Sequence, residues 1–476
     1  MAEKMAQNDS SESYRWLALI NVCLGQFITA VDARSINVAL PTLSVYFGTS
    51  MDGVQWILLA YQLTVIGLVL SLGRLGDMVG RKKIYNLGFV IFMLGSALCS
   101  LAASMTQMIL FRVVEAVGGA MVLANGRAIA SAVFGSEKRG KALGITSMAF
   151  HLGYVVGPSL GGFLIDTLGW RWIFFMNLPV ALAGAIMAWR VLQETGGKES
   201  RYNIDPLGMI TLLLTVISLI LGLHQATRSG IALASGGLFS LSALSLALFV
   251  FFERRVPAPL LDLGLFRMRL LTAGIISQFL IVLPQTATFF LLPFYFQGIL
   301  SFTPTQVGLT LIVYSMVVVL IAPIGGSLSD RLGSRLLCTL GCLCTFLSVL
   351  SMAWLRVDST QWNVMIPLVG MGLGWSLFAS PNLSAVFGSV SRDRLGAVSG
   401  ISLTAASIAN GVGIAVGSLL FNRWVAYYGV AVDKATAYTE WANDPMPFMT
   451  AFQNSWAVFA FFALVAVIPS AVRGRR

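Results

Sequence analysis

The sequence predicts an all-α polytopic membrane protein with 14 transmembrane helices, and three observations support this prediction. First, 57% of the 476 residues are hydrophobic and only 11% are charged, whereas soluble globular chains carry roughly 25% charged residues. Second, the apolar segments reach the roughly 20 residues that a helix needs to cross the hydrocarbon core of a bilayer. Third, these segments are continuous and rich in Leu, Ala, Val and Gly, which excludes the short alternating strands of a membrane β-barrel.

The predicted spans are continuous apolar segments that end at charged or Gly/Pro-rich breaks. In chain order they cover Trp16 to Leu40, Val54 to Leu72, Ile84 to Ala103, Gln107 to Phe134, Ala142 to Ile165, Trp172 to Leu192, Pro206 to His224, Ile231 to Phe252, Leu270 to Ile299, Pro304 to Ser327, Leu336 to Leu355, Val364 to Phe387, Gly396 to Phe421 and Met449 to Val472. The predicted domains are a cytoplasmic N-terminal tail (1–15), a six-helix bundle (16–192), a linker with inserted spans 7 and 8 (193–268), and a second six-helix bundle (269–476).

An internal repeat indicates that the two bundles are pseudo-symmetric. The segment GRLGDMVGRKK, from Gly73 to Lys83, follows span 2 and returns in weaker form as GSLSDRLGSR, from Gly326 to Arg335, after span 10. In each copy an Asp comes four residues after a Gly, and a second Gly comes three residues after the Asp. We expect a loop at the first copy, in which Gly73 and Gly80 allow close helix approach and a sharp turn, and Asp77 engages basic side chains or a helix N-terminus. Transporters built from parallel repeats place their substrate site between the two halves, near the middle of the membrane.

Positive charge is concentrated on one side of the predicted topology. Of the 31 Lys and Arg residues, 23 lie on the side of the termini, five lie on the opposite side and three lie within spans. Because Lys and Arg resist translocation, we expect both termini in the cytoplasm and the protein in the inner membrane. The net charge of +11 therefore reflects short loops at the lipid bilayer and not nucleic-acid binding.

The composition does not favour an enzyme. Two His residues, five Cys residues without paired spacing and no phosphate-binding loop provide no nucleophile, metal cluster or nucleotide site. We interpret the Cys residues as packing residues, and we expect no metal and no other cofactor.

Three spans contain segments with unusual glycines or charges. Span 5 contains GITSMAFHLGYVVGPSLGG, in which Gly153, Gly157 and Gly161 recur every fourth residue and form a stripe that lets a neighbouring backbone approach closely. Pro158 removes a backbone donor and bends this helix. Span 4 contains FRVVEAVGGA, and span 1 contains AVDARSINVALP.

Together with GRLGDMVGRKK and the number of spans, these segments resemble the fourteen-spanner drug/proton antiporter branch of the major facilitator superfamily, which includes multidrug and quaternary-ammonium exporters. The resemblance covers essentially the whole chain after the first 15 residues. It implies a monomeric transporter that exchanges protons for a small organic or drug-like solute by alternating access. The conformational motif residues that it implies are Gly73, Asp77, Gly80, Arg81, Gly326, Asp330, Arg331, Gly153, Gly157, Pro158, Gly161 and Gly162.

Charges inside spans identify candidates for proton coupling, because a charge at this depth is costly unless it is paired or reaches water. Asp32 in span 1 is the first candidate, since burial favours the neutral carboxyl and a nearby cation favours the charged one. Arg112 and Glu115 lie one turn apart in span 4. Glu115 is either a second protonation site or the counter-ion of Arg112, and a purely structural pair is the alternative.

Two arginines depart from the family pattern and bear on the cargo. Arg34 stands where Thr is expected, and Arg127 stands where small or apolar residues are usual, although Arg127 can instead snorkel to the interface. With Asp32, Glu115 and Arg112, three positive and two negative charges leave +1, which favours an anionic or zwitterionic cargo. Asp32 and Arg34 differ by about 200° around the helix and cannot share a face. Further cargo-binding candidates, each also explicable by packing, are Asn37, His151, Gln285, Trp375 and Asn410.

Two interpretations compete with proton-coupled efflux. The first is uniport, symport or exchange of an organic anion or zwitterion, suggested by Arg34 and Arg127. The second is a non-transporting membrane sensor of transporter ancestry, which predicts ligand binding without flux in vesicles.

Overall fold

A computed structural model describes residues 2–194, 206–229, 233–256, 261, 263–390, 395–428 and 444–473. In these ranges the secondary structure is helical, with one short 3₁₀ helix at Leu263–Arg267 and no strand. The α-helices are α1 (Ala2–Phe47), α2 (Met51–Val79), α3 (Arg81–Ser100), α4 (Met105–Leu168), α5 (Trp172–Phe175), α6 (Asn177–Val191), α7 (Pro206–Ser229), α8 (Leu233–Glu253), α9 (Arg269–Gly298), α10 (Pro304–Leu332), α11 (Ser334–Met352), α12 (Gln361–Phe387), α13 (Leu395–Tyr427) and α14 (Met446–Val472).

Within the described ranges, 14 helical segments are long and apolar enough to cross a membrane, which confirms the predicted number. The segments and the helices do not correspond one to one. Helix α4 contains two spans, Met105–Phe134 and Ala142–Leu168, whereas α5 and α6 together form the single span Trp172–Val191. The predicted break between spans 4 and 5, at 135–141, does separate two spans, but its backbone stays helical and forms no loop. Glu, Lys and Arg are good helix formers, so a charged run does not by itself interrupt a helix.

The segment from Gly73 to Lys83 is not a loop, contrary to the prediction. Residues 73–79 belong to α2, and the chain turns at Gly80 alone, where φ is 122°. The second copy behaves in the same way, since α10 runs to Leu332 and turns at Gly333, where φ is 83°. Residues with a Cβ rarely adopt such φ values, so one glycine is enough to separate two helices. The sharp turn predicted at Gly80 is therefore confirmed.

The chain divides into two compact units, which comprise residues 1–36 with 64–204 and residues 37–63 with 205–476. In the first unit, buried aromatic residues of α3, including Tyr85, Phe89 and Phe92, pack with apolar side chains of α1, α4 and α6. In the second unit, α7 and α8 join a core that includes Leu271 and Ile275 of α9. The division into a tail, two six-helix bundles and an inserted pair remains a prediction.

Candidate functional site

The three residues predicted to couple protons meet in one cluster of the first unit. Nη1 of Arg112 donates to Oδ2 of Asp32 at 2.9 Å and to Oε2 of Glu115 at 2.7 Å. Each of the three side chains is at most 1% exposed. The Arg112–Glu115 pair considered from the sequence does form, and Asp32 joins it from another helix. We call these three residues the ionic cluster.

Polar residues that the sequence analysis did not single out complete the surroundings of the ionic cluster. Nδ2 of Asn177, at the start of α6, donates to Oδ1 of Asp32 at 3.1 Å and to Oγ of Ser96 at 3.0 Å. The thiol of Cys99 lies 3.5 Å from Oε2 of Glu115. The carboxylates are thus held by neutral donors as well as by the guanidinium, as buried charges require.

The ionic cluster lies near the connection between α3 and α4. Ser96 and Cys99 belong to the last two turns of α3, and Arg112 follows about two turns after the start of α4. Gly80 precedes the first residue of α3, so the cluster and the Gly80 turn are at opposite ends of this helix.

The glycine stripe predicted in span 5 packs against α1. An ideal Cβ on Gly153 would lie 2.5 Å from a backbone carbonyl oxygen of α1. A Cβ on Gly157 would lie 2.9 Å from Cβ of Arg34, and one on Gly161 would lie 2.8 Å from Cβ of Ser35. Real Cβ atoms do not approach other atoms this closely, so the predicted close approach is confirmed. Oγ of Ser35 also donates to the carbonyl of Gly157 at 2.9 Å.

Pro158 and Gly162 are the other two residues of this segment that the resemblance assigns to the conformational motif. Pro158 lies inside α4 and is buried beside the stripe, and Gly162 is also buried. The bend predicted at Pro158 and the conformational roles of both residues remain predictions.

Asp32 and Arg34 contact different helical segments, as their angular separation predicted. Asp32 contacts Arg112 in the first span of α4. The guanidinium carbon of Arg34 instead lies 4.2 Å from the centroid of the Tyr154 ring, in the second span of α4. The glycine stripe fixes the rotation of α1 between these two neighbours.

Around Tyr154 lies a second set of residues, which we call the basic–aromatic group: Arg34, Arg127, Phe150, His151 and Tyr154. The ring centroid of Tyr154 is 4.7 Å from that of Phe150 and 6.4 Å from that of His151. Arg34 and Arg127 both lie in the neighbourhood of His151, and Arg127 also lies near Tyr154. All five residues are half-buried. The five charges counted in the sequence therefore divide into two acids with one Arg in the ionic cluster, and two Arg in the basic–aromatic group.

The other predicted cargo-binding residues belong to the second unit. Oδ1 of Asn410 accepts a hydrogen bond from Oγ1 of Thr286 at 2.6 Å, which joins α13 to α9. Gln285 and Asn37 are buried, and Trp375 is half-buried. Their contact with a cargo remains a prediction.

In the first copy of the repeat, Asp77 engages a basic side chain as predicted. Nε of Arg81 donates to Oδ1 of Asp77 at 2.6 Å. Glu194, which the sequence analysis missed, accepts the backbone N–H of Lys82 at 3.0 Å. It thereby satisfies one of the N–H groups that have no partner within the first turn of α3.

The close helix approach predicted at Gly73 occurs instead at Gly76. A Cβ on Gly73 would lie an ordinary 3.8 Å from Ala124, whereas one on Gly76 would overlap the side-chain oxygen of Asn125. Helix α2 therefore lies closer to α4 at Gly76 than at Gly73, which is about one turn earlier in α2.

In the second copy of the repeat, Gly326 packs against α12. A Cβ on Gly326 would lie 2.9 Å from Oγ of Ser380. Arg331 is exposed, and the side chain of Asp330 lies outside the part that the structure describes.

Comparisons with known proteins agree with this architecture. The sequence model of the Major Facilitator Superfamily matches residues 22–414. The chain is 31% identical to the "Riboflavin transporter RibZ" of Clostridioides difficile, over 90% of this chain and 93% of the relative. It is 29% identical to the "Multidrug resistance protein Stp" of Mycobacterium tuberculosis, over 86% of this chain and 76% of the relative.

Solved structures show the same fold. The crystal structure of a bacterial homolog to the human lysosomal transporter Spinster superposes with a TM-score of 0.69, at 16% identity and over 97% of both chains. The predicted fold and family are confirmed, and the proteins of this family are transporters and not enzymes. The chain belongs to the major facilitator superfamily.

Proposed function

We propose that this protein is a secondary active transporter that exports a small organic or drug-like solute in exchange for protons, by alternating access. The observation that carries the proposal is the ionic cluster, in which one guanidinium nitrogen bridges two fully buried carboxylates. With both carboxylates ionised the cluster has a net charge of −1, and a buried net charge is costly. One proton makes it neutral, so the cluster is suited to bind and release a proton.

The three members of the cluster have different proposed roles. Asp32 exchanges the proton, with Glu115 as the second acceptor, and Arg112 holds both carboxylates in place. Protonation of Asp32 removes the charge attraction between α1 and α4, so that a proton changes how firmly these helices are held together. Proton and cargo then compete, because each favours a different arrangement of the helices.

The conformational change is proposed to use the two copies of the repeat and the glycine stripe. The turns at Gly80 and Gly333 each consist of one residue, and we propose that the helices on either side of each turn move as rigid bodies. The half-exposed Asp77–Arg81 pair lies next to the first of these turns. We assign the corresponding residues of the second copy the same role.

The relatives support a small organic cargo, since RibZ is named a riboflavin transporter and Stp a multidrug resistance protein. We propose that the protein acts as a monomer in the inner membrane with both termini in the cytoplasm. The distribution of Lys and Arg over the connections supports this orientation.

Vesicle transport measurements test the coupling. Cargo is first identified by a growth screen in an exporter-deficient host, and its uptake into everted vesicles is then followed under imposed pH gradients. Asp32→Asn should abolish gradient-driven transport and retain some cargo binding. Asp166→Asn changes an exposed carboxylate of α4 and should behave as wild type. Unchanged gradient dependence in Asp32→Asn would eliminate Asp32 as the coupling residue.

Transport of an organic anion or zwitterion is the second candidate, and the basic–aromatic group favours it. Two guanidinium groups near aromatic rings suit a flat anion, which can pair with the charges and stack on the rings. Fluorescein and rhodamine, which share a ring system but differ in charge, serve as matched probes in counterflow without a pH gradient.

Arg34→Thr should reduce the ratio of anion to cation transport at least tenfold. Arg171→Thr is the control, because Arg171 also lies over an aromatic ring, at 4.4 Å from Trp170, but outside the group. An unchanged ratio in Arg34→Thr would remove Arg34 from cargo recognition.

A further inference from the structure

A close contact between a histidine and a carboxylate lies in the second unit, where the start of α2 meets the end of α7. Nδ1 of His224 is 3.0 Å from Oδ1 of Asp52, and the two side chains are 14% and 4% exposed. Nε2 of Gln55 donates to Oδ1 of Asp52 at 2.7 Å and to the backbone oxygen of Asp52 at 2.9 Å, and it lies 3.3 Å from Nδ1 of His224. The ring of Trp56 meets the imidazole edge to face, with centroids 5.1 Å apart. The position of the imidazole is thus fixed from two sides.

This arrangement gives His224 a hydrogen-bond partner in either protonation state. When both ring nitrogens carry protons, Nδ1 donates to the carboxylate of Asp52, and the bond is strengthened by both charges. When the ring is neutral and its proton is on Nε2, Nδ1 can accept from the amide of Gln55, which has two hydrogens and then gives up one of its two bonds to Asp52. Histidine is also the side chain that ordinarily changes charge near neutral pH.

Among the described residues, Asp52 is the charged group in contact with His224. Helices α8 and α13 also pack against α7. Their described titratable side chains are Glu253, at the far end of α8, and Arg423 and Tyr427, which are exposed at the end of α13. On α1 and α2, the described titratable side chains of the same unit are Asp52 itself, the exposed Tyr46 and the buried Tyr61. Among the described residues, the polar groups at short distance from the imidazole of His224 are therefore the Asp52 carboxylate and the Gln55 amide.

We propose that Asp52, Gln55 and His224 form a proton-binding site, and that its protonation fastens the inserted helix α7 to the start of α2. The proton binds the imidazole, and the resulting imidazolium is held by the Asp52 carboxylate. On release of the proton, the pair is replaced by the weaker neutral hydrogen bond from Gln55. The site does not depend on the proposed exchange of cargo for protons, because it requires neither a cargo nor the ionic cluster. It gives the inserted helices a proton-dependent role.

Nuclear magnetic resonance tests the site directly, because the chain has only two His residues. Histidine-labelled full-length protein in lipid nanodiscs is titrated with acid, and His151→Gln leaves the signal of His224 alone. We expect the His224 signal to change on acidification, and this change to differ from wild type in Asp52→Asn, which removes the charged acceptor, and in Gln55→Met, which removes the amide donor. The exposed-carboxylate control Asp358→Asn should leave the titration unchanged. A His224 signal that does not titrate, or that titrates alike in Asp52→Asn, would overturn the proposal.

Hydrogen exchange tests whether protonation holds α7 to the start of α2, in proteins that keep Asp52. In wild-type protein, amide exchange at the end of α7 should slow at least threefold on acidification, after correction for the intrinsic pH dependence of exchange. His224→Gln should remove this pH-dependent change. Equal changes in both proteins would overturn the claim that protonation holds α7. Neither measurement uses a cargo, so its result is separate from the test of Asp32.

Discussion

Replacing Gly153 by Ala tests whether the glycine stripe sets the position of α1. The added Cβ would lie 2.5 Å from the carbonyl oxygen of Phe27, 2.7 Å from Cβ of Ala30 and 3.1 Å from the backbone nitrogen of Val31. Ordinary contact begins at 3.4 Å, and two of the three atoms belong to the backbone. Side-chain rotation therefore cannot relieve the overlap, and α1 has to move. Overpacking of this kind costs about 1–3 kcal/mol in the free energy of unfolding.

Gly144→Ala is the matched control, because Gly144 lies in the same helix and a Cβ there would meet nothing within 4 Å. Ala is more favourable than Gly in a helix by roughly 0.5–1 kcal/mol, so this variant should be as stable as wild type or more stable. Thermal unfolding in detergent, followed by tryptophan fluorescence, compares the two variants. Each kcal/mol shifts the midpoint by about 2–4 °C in a unit of this size. A Gly153→Ala midpoint equal to or above that of wild type would refute the argument.

Three further substitutions have expected outcomes. Asn177→Ala removes a donor from Oδ1 of Asp32 and should cost about 1–3 kcal/mol of stability; a thermal midpoint equal to that of wild type would show that this bond is dispensable. Gly80→Ala should lower the midpoint more than Gly169→Ala, because both glycines have positive φ but only the Cβ at Gly80 would meet a carboxylate, at 2.6 Å; equal losses would assign the effect to φ alone. Asp77→Asn breaks a half-exposed ion pair and should change the stability by less than about 1 kcal/mol, and a larger loss in the same assay would contradict this estimate.

The number of spans can be predicted from the sequence because each span is a continuous apolar run, a local property of composition. Their boundaries are predicted less well where charges are involved. Residues 73–79 and 135–141 carry several charges and suggest loops, yet their backbones are helical. A charged side chain is costly in lipid, but it does not prevent helical hydrogen bonding of the backbone. An apolar run and the helix that contains it can therefore end at different residues.

The candidate site is only partly predictable for a related reason. Arg112 and Glu115 are one turn apart, so their pairing follows from helix geometry alone. Asp32 joins them across 80 positions of sequence, which depends on how α1 crosses α4. Asn177 and Ser96 carry no signal, because a lone polar residue in an apolar helix is most often a packing residue. The spacing of the glycine stripe predicts a close contact, but nothing in that segment identifies α1 as the partner.

The glycine stripe also has a consequence for how this transporter can evolve. In a saturation mutagenesis experiment, Gly153 and Gly161 should tolerate almost no replacement, because any side chain would displace the backbone of α1. Arg34 and Tyr154 lie beside this contact, and their own interaction is between side chains. If they bind cargo as proposed, substitutions there should change the cargo preference while the backbone contact that places Asp32 next to Arg112 is retained.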